Sequence, residues 1–136
     1  MKRLNDWLTR LHKVIADTEG KPFQYGVNDC ALFGASIVNA CLGFDPAETY
    51  RGRYKTKIGG IRAIRKSGYQ DQIDYVEKTF SQTPILFSRE GDLGLVETEE
   101  GPAIVALLGS FAAGVSKTGL IRFPIGEVKI AFRVGE

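Results

Sequence analysis

Along residues 3–17, Leu4, Trp7, Leu8, Leu11, Val14 and Ile15 recur at the i, i+3, i+4, i+7 spacing of one face, with charged residues between them. That spacing predicts an amphipathic helix, ended by Glu19-Gly20-Lys21-Pro22. A short extended piece, 22–26, leads to Asn28 and Asp29, either of which can cap a helix by accepting a backbone N–H bond. The run from Cys30 to Leu42 is small or apolar at almost every position. It predicts a central helix covered on several sides, stopped by Gly43. Residues 44–56 read as a loop. Ile58, Ile61 and Ile64 predict a third helix over 57–66, closed by Ser67-Gly68, and Ile73, Val76 and Phe80 predict a fourth over 71–80. After Pro84 the texture changes. Short apolar runs at 85–87, 93–97, 103–108, 119–123 and 128–134, separated by Gly, Pro and charged turns, predict strands. Phe111-Ala112-Ala113-Gly114 reads as a turn between two of them. Helices first and strands after predict an α+β fold with an antiparallel sheet.

The chain has 136 residues, which predicts a single domain over 1–136. Eighteen Lys and Arg stand against sixteen Asp and Glu, a net charge of +2, so a polycation built to coat nucleic acid is excluded. No run approaches the ~18 apolar residues of a membrane span. The opening MKRLNDWLTRLHKV lacks the apolar core of an export signal, so none is expected. The single histidine excludes mechanisms that need two. No metal-ligand cluster, phosphate loop or paired-carboxylate motif is visible, and no cofactor is expected. Cys30 and Cys41, eleven residues apart on one predicted helix, would be separated by roughly 16 Å, too far for a disulfide.

Cys30 follows the Asn-Asp cap at the first turn of the predicted central helix. A helix start carries about half a positive charge, which favours a thiolate, and cysteine nucleophiles are commonly placed this way. Free cysteine is also an ordinary small core residue, the role expected for Cys41. Two charged regions stand out. Arg51, Arg53, Lys55, Lys57, Arg62, Arg65 and Lys66 put seven cations in sixteen residues with no acid among them. They suit an acidic partner protein or phosphate, or simply a solvated face. No aromatic stacking pattern accompanies them, so nucleic-acid binding is not expected. Glu90, Asp92, Glu97, Glu99 and Glu100 form an acidic patch, and two opposite patches fit self-association or docking into a larger assembly.

The segment Phe23-Gln24-Tyr25-Gly26-Val27-Asn28-Asp29-Cys30-Ala31-Leu32-Phe33 resembles the nucleophile motif of the NlpC-type papain-like cysteine peptidases, which cleave cell-wall peptides. Gly91-Asp92-Leu93 resembles the turn that opens their sheet. Cys30 to Gly68, with Gly43-Phe44-Asp45-Pro46-Ala47 and Tyr50-Arg51-Gly52-Arg53-Tyr54, is closer still to small proteins of tailed-phage and prophage genomes encoded among tail genes. The resemblance implies a papain-like fold, N-terminal helices with a central helix packed on a C-terminal sheet. It implies Cys30 at the nucleophile position and Tyr25 lining the site. It also implies a missing base: the family's histidine aligns with Ala103, and its serine and glycine after the cysteine are Ala31 and Leu32. His12 or Asp92 would have to substitute.

Three functions compete. The first is a structural protein of a phage tail tip with a lapsed peptidase site. It would work in the virion or, during assembly, in the host cytoplasm, with other tail proteins as partners through Arg51, Arg53, Lys55, Lys57, Arg62, Arg65 and Lys66. The second is an active cell-wall hydrolase using Cys30. The third is a non-catalytic binder of wall peptide.

Overall fold

A computed structural model describes all residues, 1–136, as an α+β fold. Four helices precede most of the sheet: α1 (Trp7–Thr18), α2 (Cys30–Leu42), α3 (Lys57–Lys66) and α4 (Gln72–Thr79). Six strands follow: β1 (Gln82–Thr83), β2 (Leu93–Thr98), β3 (Gly101–Leu107), β4 (Phe111–Ser116), β5 (Gly119–Pro124) and β6 (Val128–Phe132). They form one antiparallel sheet in the order β1-β6-β2-β3-β4-β5.

The central helix α2 owes its position to being apolar on nearly every side. Ile37 and Cys41 are fully buried and Val38 almost so. They share one core with Leu11 of α1, Val76 of α4, and Leu93, Leu95, Ile104, Ala106 and Phe132 of the sheet. Gly43 ends α2 in the left-handed region at φ +83° and returns its N–H to Asn39 O, the usual glycine stop. Arg10 of α1 donates from Nε to Ala40 O and from a terminal nitrogen to Asn39 O. A cation there bonds carbonyls of the last turn and complements the negative end of the helix dipole. On the other face of the sheet, Val96, Val105, Leu107, Ala112, Val128 and Ala131 form a second, smaller core.

Two readings of the strand region change. Ile85–Phe87 is one turn of 3-10 helix, because the Pro84 backbone breaks from β1 and the turn bonds to itself through Phe87 N–H to Pro84 O. It leaves Leu86 and Phe87 exposed. Phe111–Gly114 forms the first four residues of the six-residue strand β4. Its Ala and Gly residues are small because they lie in close-packed sheet: a Cβ at Gly114 would stand 3.2 Å from the Val105 side chain.

The chain ends are tied to the sheet by a buried ion pair. Asp92 is fully buried and accepts from Arg3 at 3.0 Å and from the Val134 N–H at 2.9 Å on one oxygen, and from the Arg89 N–H at 3.0 Å on the other. Arg3 also donates to Val134 O and Glu90 O and lies 4.3 Å over the Trp7 ring.

Candidate functional site

Three elements meet at the start of α2. The loop before it folds back so that Gln24 and Asn28 bridge and the Asn28 side chain donates to Lys21 O and Pro22 O. Asp29 then caps the helix through Leu32 N–H at 2.9 Å. Its second oxygen accepts the Gly26 N–H at 3.0 Å and the Tyr54 hydroxyl. Burial and that bond to a carboxylate push the Tyr54 phenol far above its ordinary range. Gly26 is required twice over: its φ is +83°, and a Cβ there would lie 2.0 Å from Tyr54 O.

The Cys30 sulfur faces the backbone of β3. The Ile104 N–H donates to Sγ at 3.0 Å, and the thiol in turn reaches Ile104 O at 3.7 Å. The strand ladder explains why those groups are free. Leu108 N–H bonds to Phe111 O, and Ala106 pairs with Ala113. Continued in register, Ile104 would face Val115, but the β3–β4 pairing has stopped. The thiol takes the place of the missing strand partner. One turn further along α2, a Cβ on Gly34 would come within 3.1 Å of the Ile104 side chain.

This placement reverses the expected electrostatics. Desolvation of the thiol pushes the Cys30 pKa up to about 11, outweighing the favourable Ile104 N–H, and the Asp29 carboxylate raises it further. The helix start therefore carries no thiolate: loss of water around the sulfur dominates, and the capping Asp29 carboxylate adds a smaller push in the same direction.

None of the expected bases stands at the sulfur. His12 is 63% exposed on α1 and pairs with Glu90 at 3.6 Å. Asp92 is spent on Arg3 and two backbone donors, which also removes it from the acidic surface patch. Ala103, aligned with the peptidase histidine, packs with the second core on the sheet face away from α2, because alternate strand residues point to opposite faces. The strand position facing the sulfur is Ile104. Tyr25 does lie near the site. It packs edge-on against Phe23 at 4.8 Å, and its phenol is pushed up by burial and by the carboxylates of Glu100 and Asp29.

The basic segment divides. Arg51 turns inward, donating to both Asp45 oxygens, to Ser36 and to Leu32 O, so its charge is spent on holding the 44–54 loop against α2. Arg53, Lys55, Lys57, Arg62, Arg65 and Lys66 are exposed, and none takes part in a salt bridge.

Sequence reasoning missed Tyr54, the backbone of Ile104, and a cavity of about 60 Å³ between α2, α3, α4 and the sheet, bordered by Tyr50, Tyr69 and Tyr75. Nothing local marks them, since they join α2 across long sequence separations. No three His, Cys, Asp or Glu side chains come together as a metal site. No helix is long and apolar enough to cross a membrane.

The chain belongs to the family described as a domain of unknown function (DUF6950), whose model matches residues 2–134. No curated protein matches it.

Proposed function

We propose that this member of the DUF6950 family is a non-catalytic domain on a papain-like frame that serves in assembly of a tailed-phage tail tip. It would act in the virion or in the host cytoplasm during assembly, with other tail proteins as partners. The observation that carries this reading is the thiol itself: protonated, bonded only to the Ile104 backbone, with neither imidazole nor carboxylate bonded to the sulfur. A thiol nucleophile needs a base or a lowered pKa, and removing the base from such a site costs orders of magnitude in rate. The resemblance to tail-gene proteins supplies the assembly role.

Two measurements test it. Wild type and Cys30→Ala are incubated with a cell-wall stem peptide, and equal, background-level cleavage is expected. Turnover that vanishes with the sulfur would establish the hydrolase instead. In a prophage encoding the chain, deleting its gene is expected to stop tail completion, seen by electron microscopy of the lysate. Normal tails would overturn the assembly role. Saturable binding of stem peptide without turnover would favour wall-peptide capture over assembly.

A further inference from the structure

At the N-terminal end of α2 the surface carries two charge clusters of opposite sign, neither partnered within the chain. The negative one is the β2–β3 hairpin. β3 meets the Cys30 sulfur at Ile104, so Glu100 stands roughly 13 Å further up the strand, at the tip. Thr98 fixes that turn, its hydroxyl donating to Gly101 O at 2.7 Å and accepting the Glu100 N–H at 3.2 Å. Glu97, Glu99 and Glu100 are exposed on it, and none forms an ion pair. The positive cluster is the stretch that enters α3. Gly52 donates its N–H to Gly26 O, and the Tyr54 hydroxyl donates to Asp29, which holds this stretch against the loop that caps α2. Arg53, Lys55 and Lys57 stand on it, exposed and equally unpaired. The first turn of α3 holds no acid, so Lys57 stands at the positive pole of its own helix with nothing to offset it.

Segment 25–27 keeps the clusters apart. Tyr25 lies in the field of Glu100, and Gly26 packs on the Tyr54 backbone. Val27, in this segment, is 56% exposed, and Ile58, beside the Gly59 that packs on Tyr54, is 64% exposed. Exposed apolar side chains with charge at their margins have the anatomy of an interface. Lys21, Lys117, Glu127 and Lys129 border the same end and are also unpaired. They leave a small positive excess, but charges more than about 8 Å apart are largely screened at physiological salt, so direct contact between the clusters decides. Glu48 and Glu77 lie further along α2, on the loop that Arg51 ties to Ser36 and on α4.

A partner of one sign would satisfy one cluster and set like charge against the other. Two clusters of opposite sign at one end of a molecule are instead self-complementary: a two-fold axis between them brings the cations of each copy onto the carboxylates of the other. We infer that this end of the protein is a homodimer interface, in which Arg53, Lys55 and Lys57 of one protomer meet Glu97, Glu99 and Glu100 of its partner, twice, around a centre of Val27 and Ile58. The inference uses neither the state of the thiol nor the tail role, so its failure would leave both standing.

Sedimentation velocity of the purified chain over a concentration series tests it. The mass should approach twice the 14.9 kDa of one chain and go no higher, and raising salt from about 0.05 to about 0.5 M should weaken association by roughly tenfold. Arg53→Glu with Lys57→Glu, and separately Glu99→Lys with Glu100→Lys, should each yield a monomer where the wild type is dimeric, because each variant carries one sign on both sides. Mixed in equal amounts, the two variants should recover a dimer, a result that misfolding cannot produce. If either double variant fails to fold, Lys57→Glu and Glu99→Lys alone repeat the mixture. Leu86→Ser removes an exposed apolar side chain before the opposite end of β2 and should leave association unchanged. A monomer at every concentration, a dimer indifferent to both charge reversals, a mixture that stays monomeric, loss of the dimer on Leu86→Ser, or assemblies larger than a dimer would each overturn the inference.

Discussion

Alkylation of Cys30 as a function of pH distinguishes an inert thiol from an armed one. The thiol titrates near 11 against an ordinary 9.0, because folding strips water from it more effectively than the Ile104 N–H replaces it. At pH 7 a thiol of ordinary pKa is about 1% ionised, and one at 11 about 0.01%. Since the thiolate is the reacting form, iodoacetamide should modify Cys30 roughly 100-fold more slowly in the native protein than in urea. The logarithm of the native rate should rise by about one per pH unit up to pH 10. Peptide mapping by mass spectrometry separates Cys30 from Cys41, which is itself buried and pushed upward by desolvation. The same shift acts on stability. The folded thiol keeps its proton to higher pH than the unfolded one, so between pH 9 and 11 the native state binds more protons. Its contribution is therefore complete below pH 9 and is lost as pH rises through 11, by about 3 kcal/mol in all. Cys30→Ala should lack that slope in urea titrations across pH 8–11. A native labelling rate that levels off below pH 8 would mean that a thiolate forms readily, and would refute the electrostatic reasoning.

Other substitutions test the frame around the site. Asp92→Asn leaves Arg3 buried without its counter-charge and should cost about 3–5 kcal/mol in urea unfolding, the loss expected when one partner of a buried pair is removed. A cost under 1 kcal/mol would show that the clasp contributes little. Asp29→Ala removes the α2 cap and orphans the Gly26 N–H and Tyr54 hydroxyl, so a loss of about 2–4 kcal/mol is expected by the same assay. Gly26→Ala forces a Cβ onto Tyr54 O at a positive φ. It should lower stability by at least about 2 kcal/mol and detach the Tyr54 loop, visible as increased proteolysis between Tyr50 and Lys57.

Much of the helical half is legible in local pattern. The bounds of α2 and α3, 30–42 and 57–66, coincide with the reading of sequence periodicity, because Asp29, Gly43 and Thr56 are cap and stop residues that act within a few positions of themselves. The strand half is less so. The turn at Ile85–Phe87 and the strand at Phe111–Gly114 depend on which apolar run finds a ladder partner, and a run of three or four apolar residues carries no mark of that.

Cys30 stands out by its place after an Asn-Asp pair, and its position at the helix start follows from those neighbours alone. Its chemistry does not. Sequence determines that a sulfur stands at a helix tip, that a single histidine is available, and that seven cations fall within sixteen residues around α3. Only the tertiary structure decides that the thiol loses its water against β3, that Ala103 faces away, that Arg3 takes Asp92 and that β4 leaves the Ile104 N–H to the thiol. Desolvation and charge act through space over a few ångströms, between residues up to 89 positions apart. A local pattern cannot carry that distance.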